Sequence, residues 1–302
     1  MKILLMLIAL SASSSCSYLD KYKTPINESV TLDSSLIQDY SSKLLGRENF
    51  LAPFISNYNY GDKNLVYVAS VHQEGPGTLT QKTIEKAMKE FKPDFLIVEG
   101  SAFTIISDPD DIAYASECHK KKYKFCREDA YAVNLALRAK IPFCYGEPSD
   151  AAIHNTLKKS GVTDEELIAF YTLRGLPALK REGQFNNKKL VELLNRSSKK
   201  FRADKFISVA QFKKLYKKKM NAEFKILNIS DETISPQIDQ NPMWSNKIAY
   251  AVDVLREQFL TKQIETRLNK YKKVLVVYGA EHLMKARPMF SRALGEPIDS
   301  RL

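Results

Sequence analysis

Apolar residues gather along this chain in two kinds of run. Four are short and nearly continuous: Leu65-Val66-Tyr67-Val68-Ala69, Phe95-Leu96-Ile97-Val98, Phe143-Cys144-Tyr145 and Leu275-Val276-Val277-Tyr278. Their length, their β-branched and aromatic content and their bounding Gly, Pro and charged residues predict strands buried on both faces. Elsewhere apolar positions recur at helical spacing. Leu79, Thr83, Ile84, Ala87, Met88 and Phe91 follow the capping residue Thr78, and Lys92-Pro93-Asp94 stops the pattern. A second helix is expected around Asp129–Lys140. A long one starts at Trp244, with Ile248, Val252, Leu255, Phe259, Ile264 and Leu268 near one face. Strand, helix, strand, helix, strand is the order of βαβ units. The expected fold is therefore α/β, a mostly parallel central sheet flanked by helices.

One stretch departs from that rhythm. Residues about 150–225 hold no strong strand, and Thr163-Asp164-Glu165-Glu166 reads as a helix-starting capping box, so this part is expected to be a helical insertion in a single domain, 46–302. Asn228–Pro242, polar and containing Pro236 and Pro242, reads as a loop, and a short helix is expected to end the chain.

The N-terminus has a different pattern. Lys2 precedes the apolar run Ile3–Leu10 and the small residues Ser11–Ser15, which together predict an export signal over 1–15, too short to span a bilayer. Ala12-Ser13-Ser14 resembles a small-x-small cleavage site. Ser13-Ser14-Ser15-Cys16 resembles a bacterial lipobox, with Ser13 where leucine is usual. Lipidation of Cys16 is the favoured reading, because a cysteine directly behind such a signal has few other uses. Residues 16–45 would then be a polar tether to the membrane, and the protein would sit at the cell envelope, on the periplasmic or outer-membrane side. Three cysteines remain, Cys118, Cys126 and Cys144. Cys118 and Cys126 are able to pair in an oxidising compartment. There is no CxxC pair, so a zinc ribbon is not expected.

The net charge of +11 is local: residues 180–219 carry 14 of the 46 Lys and Arg but 3 of the 35 Asp and Glu. Such a run is either a solvated helical face or a patch for an anionic partner. It lacks interleaved aromatics and any nucleic-acid motif, so no nucleic-acid partner is expected.

The candidate chemistry lies at the ends of the strands. Two of the four histidines stand in repeated surroundings: Ala69-Ser70-Val71-His72 follows one apolar run, and Gly279-Ala280-Glu281-His282 follows another 210 residues later. The other two strands end at Glu99 and at Glu147. A parallel sheet brings all four ends to its carboxyl edge, where open α/β sheets bind ligands. Imidazoles and carboxylates there suit a divalent metal with open positions for water, or general-base catalysis without one. His119 and His154 read as structural.

At these residues the chain resembles the TraB/Tiki superfamily, also called EreA/ChaN-like. The resemblance rests on the two G-x-x-H-like segments (Ala69 in the first glycine position), on Pro93-Asp94-Phe95-Leu96-Ile97-Val98-Glu99, on Glu128-Asp129-Ala130-Tyr131-Ala132, on Gly146-Glu147, and on Arg256-Glu257. It covers about 65–147 and 244–294, leaving the insertion unmatched. It implies an EreA/ChaN-like fold and a hydrolase-like site of His72, Glu99, Glu128, Glu147, Arg256 and His282. In that reading His72, Glu99 and His282 bind a divalent metal (Mn, Co, Zn or Fe), Glu128 or Glu147 is the second carboxylate, and Arg256 stabilises negative charge. The expected substrate is a peptide or a small molecule with an amide or ester bond. The same resemblance allows a haem- or iron-binding lipoprotein. A third reading is a surface lipoprotein that has lost catalysis and binds a partner through its basic insertion.

Overall fold

Six strands form one sheet: β1 (Phe54–Tyr60), β2 (Lys63–Ser70), β3 (Phe95–Ser101), β4 (Phe143–Glu147), β5 (Lys273–Gly279) and β6 (Ile298–Ser300). Their order is β4-β3-β5-β2-β1-β6. The computed structural model describes residues 29–39, 52–73, 77–101, 126–201, 206–238 and 241–302. The expected export signal, Cys16, Cys118 and His119 lie outside the described residues.

The four apolar runs pair in parallel, as β4 with β3, β3 with β5, and β5 with β2. The last of them in sequence is thus inserted at the centre of the sheet. In consequence the two repeated segments are neighbours: β2 and β5 run in register from Asn64↔Lys273 to Ser70↔Gly279. The sheet is mixed because β1 pairs antiparallel with β2, and β6 antiparallel with β1. The sequence reading did not anticipate either strand. β1 is interrupted by Ser56, Asn57 and Asn59, so its apolar pattern is weak, and the hairpin is set by the two-residue turn Gly61-Asp62, with Gly61 at φ +58°. β6 is exposed throughout and is fixed by polar bonds, as Arg287 Nη2 donates to both Asp299 oxygens at 2.8 and 2.9 Å.

Two helical layers cover the sheet. On one face, α1 (Leu79–Phe91) and α2 (Glu128–Ala139) place Ile84, Ala87, Ala132 and Ala136 against Val66, Val68, Leu96, Val98, Leu275 and Val277. The alternate residues, Leu65, Tyr67, Ile97, Val276 and Tyr278, face the opposite layer. Thr78 caps α1 as expected, its hydroxyl accepting from Gln81 N–H at 3.2 Å. Full burial of a Leu, Ile or Phe contributes about 1.5–3 kcal/mol, and β3 and β5 are covered from both sides. That explains why these runs read as continuous rather than alternating.

The sequence between β4 and β5 is helical: α3 (Asp150–Lys159), α4 (Asp164–Arg181), α5 (Asn187–Lys200), α6 (Val209–Met220), the single turn α7 (Asp231–Ile234) and α8 (Trp244–Leu268). α4 to α6 share a core of their own, with Ile168, Leu173, Leu176, Leu190, Leu194 and Phe212. The capping box of Thr163 and Glu166 starts α4. α8 joins the two parts. Its first half (Ile248, Ala249, Val252) packs on α3 and α4, and its second half (Leu260, Ile264, Leu268) packs on the sheet. α9 (Ala280–Leu294) follows β5 directly and completes this layer with Leu283, Met289 and Phe290. It is longer than the short final helix expected.

Cys126 is disulfide-bonded and Cys144 is a free, buried thiol. Among the described residues, no helix is long and apolar enough to cross a membrane.

Candidate active site

The carboxyl ends of β2, β3, β4 and β5 open into a cavity of about 610 Å³. Glu99 and Glu147 line it from the strand ends, His72 from the residues just after β2, His282 from the first turn of α9, Arg256 from α8, and Asp150, Tyr171, Arg174 and Lys200 from α3 to α5. The sequence-derived residues therefore share one space, except Glu128, which stands behind His72. The parallel topology is the cause: each strand delivers its last residues to the same edge.

Each histidine is held by a buried glutamate through the same ring nitrogen. His72 Nδ1 bonds Glu128 Oε1; the glutamate starts α2 and is 2% exposed, while the imidazole is largely open to solvent. His282 Nδ1 lies 2.5 Å from Glu257 Oε1, and both are buried. Nε2 is the nitrogen left over in each ring. The Glu128 hydrogen bond raises the His72 pKa above its ordinary value, against the opposing effect of burial. Burial works against the charge of Glu128, but the His72 bond and a backbone amide outweigh it, so its pKa lies below the usual value. Glu257 shows the same contest more strongly. Burial would raise it, but His282 and Lys285 bring it down to about 2.

Lys285 is the partner the sequence reading missed. One turn after His282 on α9 and 2% exposed, it places Nζ 2.7 and 2.8 Å from the two Asp253 oxygens and 2.5 Å from Glu257 Oε1. Asp253 and Glu257 are four apart on α8, and Lys285 is three after His282. That spacing was the available signal, since residues so placed share a helix face.

Glu99 ties the two halves together. Its Oε2 accepts the Gly279 N–H at 2.9 Å, and its Oε1 accepts from Arg256 Nη2 at 3.1 Å. The same Nη2 bonds Glu147, which also accepts from Tyr278 Oη at 3.3 Å. Gly279 is small for a reason: a Cβ there would sit 3.3 Å from His282 Cδ2 and 3.4 Å from Glu99 Oε2. Ala69, in the equivalent glycine position of the first segment, is fully buried in the core and does not line the cavity.

Among the described residues, two groups have donor atoms within 4.8 Å of one another: His72 with Glu99 and Glu128, and His282 with Asp253 and Glu257. The set named from sequence, His72, Glu99 and His282, is thus divided. The second group already holds the Lys285 ammonium on both carboxylates. The first, one imidazole and two carboxylates on the open side of the cavity, fits a divalent cation.

His154 is structural: its Nε2 lies 2.7 Å from Asp164 Oδ1, joining α3 to the start of α4. The basic run of 180–219 pairs in part with local acids (Lys189–Glu192, Lys217–Glu223, Lys219–Glu166), and among its described residues only Lys200 lines the cavity. Compared with known proteins, the chain matches no family model, no curated protein and no solved structure.

Proposed function

We propose that this protein is a hydrolase of ester or amide bonds, of the TraB/Tiki type and acting at the cell envelope. One observation carries the reading: two histidines that follow adjacent parallel strands, His72 just after β2 and His282 in the first turn of α9, are each fixed through Nδ1 by a buried glutamate and open onto one polar cavity. A carboxylate on Nδ1 sets the tautomer and steadies the imidazolium that forms when Nε2 takes a proton.

In this mechanism His282 takes a proton from water as its oxygen bonds to the substrate carbonyl carbon, and Glu257 offsets the new charge. Arg256, with Nη2 bound to Glu99 and Glu147, presents the rest of its guanidinium to the developing oxyanion. The C–O or C–N bond then breaks, and His72, kept more basic by Glu128, gives a proton to the leaving atom. His72, Glu99 and Glu128 would be the residues to hold a divalent metal, which would supply a water of lowered pKa.

The test is turnover of p-nitrophenyl butyrate by the purified chain. His72→Ala and His282→Ala are each expected to lower kcat about 10²-fold or more, the usual weight of a positioned acid or base. Turnover equal in both variants and the parent would end this reading. Bound divalent metal, measured on the same samples, is expected to fall in His72→Ala and Glu128→Gln and to persist in His282→Ala.

A further inference from the structure

The cavity has a second wall, made by the helical insertion. Tyr171 and Arg174 stand three apart on one face of α4, Lys200 ends α5, and Asp150 starts α3; all four line the space onto which His72 and His282 open. The Tyr171 ring carries two cations, with Arg174 Cζ 5.6 Å and Lys200 Nζ 4.8 Å from its centroid. Phe201 supports the ring from behind, centroids 4.8 Å apart. Tyr171 lines the same cavity as Arg256 and Glu147 of the opposite wall.

Most lining charges have an opposite charge beside them. Arg256 sits between two carboxylates, Glu99 and Glu147, and Lys200 pairs with Asp150 at 2.8 Å. Glu281, in the first turn of α9, belongs to the sheet-side wall. Arg174 is the lining cation of the insertion wall with no carboxylate; among the described residues its contacts are the faces of Phe170 and Tyr171. Aromatic faces hold a guanidinium in place without using its N–H donors, so the fork remains free for an incoming acceptor. A planar, singly charged carboxylate matches one guanidinium in shape and in charge.

We propose that Arg174, steadied on Tyr171 and flanked by Lys200, is the subsite for a carboxylate on the substrate, so that the protein acts on esters or amides bearing a carboxylate near the scissile bond. This rests on the hydrolase reading for the reaction, but the anion subsite stands on its own geometry. It also gives the insertion a role: the sheet supplies the reaction, and the insertion selects what reaches it.

Two p-nitrophenyl esters of equal chain length test the idea, the hydrogen succinate and the butyrate. The parent protein is expected to favour the succinate ester in kcat/KM by about tenfold or more, the weight of a charge-assisted hydrogen bond. Arg174→Gln should bring that ratio close to one, and Arg174→Lys should keep part of it. A ratio near one in the parent, or an unchanged ratio in Arg174→Gln, overturns the proposal. Should neither ester turn over faster than with His72→Ala, the hydrolase reading fails, and titration calorimetry decides the subsite. Binding of glutarate but not glutaramide, lost in Arg174→Gln, upholds it; no glutarate binding, or binding that survives Arg174→Gln, overturns it.

Discussion

Lys285 shows how much of the site depends on a residue that does not face it. Its ammonium is enclosed by Asp253 and Glu257, and Glu257 in turn holds His282. Removing the lysine would leave the buried Glu257 and the half-buried Asp253 near each other, with only the His282 imidazole bonded to Glu257. Breaking a buried pair by deleting one partner costs about 3–5 kcal/mol, because the other charge stays desolvated. Lys285→Met is therefore expected to lose about that much stability in urea unfolding, and adding Asp253→Asn should recover part of it. A Lys285→Met protein as stable as the parent would show that Lys285 does not balance these carboxylates. His72, His282, Glu99 and Glu147 were legible in the sequence, because strand-ending positions and a repeated motif mark them, whereas Arg256, inside α8, was picked out only through the family resemblance. Lys285 was not, because a buried lysine and an exposed one look alike until the surrounding acids are placed.

At the scale of elements, the junction of α4 with α6 is where charge and helix capping meet. Glu166 accepts the Thr163 N–H at 2.9 Å and pairs with Lys219 of α6. Burial pushes its pKa up, but the Lys219 bond and the Thr163 amide prevail and bring it below its ordinary value of 4.5. A carboxyl lowered on folding adds stability in full above its unfolded pKa and loses it as pH falls through the folded value. Glu166→Gln is accordingly expected to be less stable than the parent near pH 7, with the gap closing as pH falls below the ordinary value of 4.5. A gap that stays constant with pH, followed by the urea midpoint, would exclude a role for this ionisation. The capping box itself was readable, since its residues are local. Lys219 as its partner was not, because the pairing joins the start of α4 to the end of α6, with all of α5 between them in the chain, and depends on how those helices pack.

The whole molecule is two packed bodies of side chains joined through α8. The sheet has its own layers, and α4 to α6 have their own core. Phe170, fully buried, lies in the seam where the insertion meets Ile248 and Val252 of α8. Truncating such a residue costs about 3–5 kcal/mol. In Phe170→Ala, hydrogen exchange should rise across 164–200 while amides of β2, β3 and β5 stay protected; a uniform rise would mean that the two cores unfold as one. The sequence by itself determined the parallel strands, the helices between them and the strand-end histidines and glutamates, because these follow from local periodicity and from what a strand must bury. Only the tertiary structure decided that β5 enters between β3 and β2, that Glu128 and Glu257 each take one histidine, and that the insertion turns Arg174 toward the cavity. Those are contacts between residues far apart in the chain, and they are fixed by packing and charge balance in three dimensions, which no window along the sequence contains.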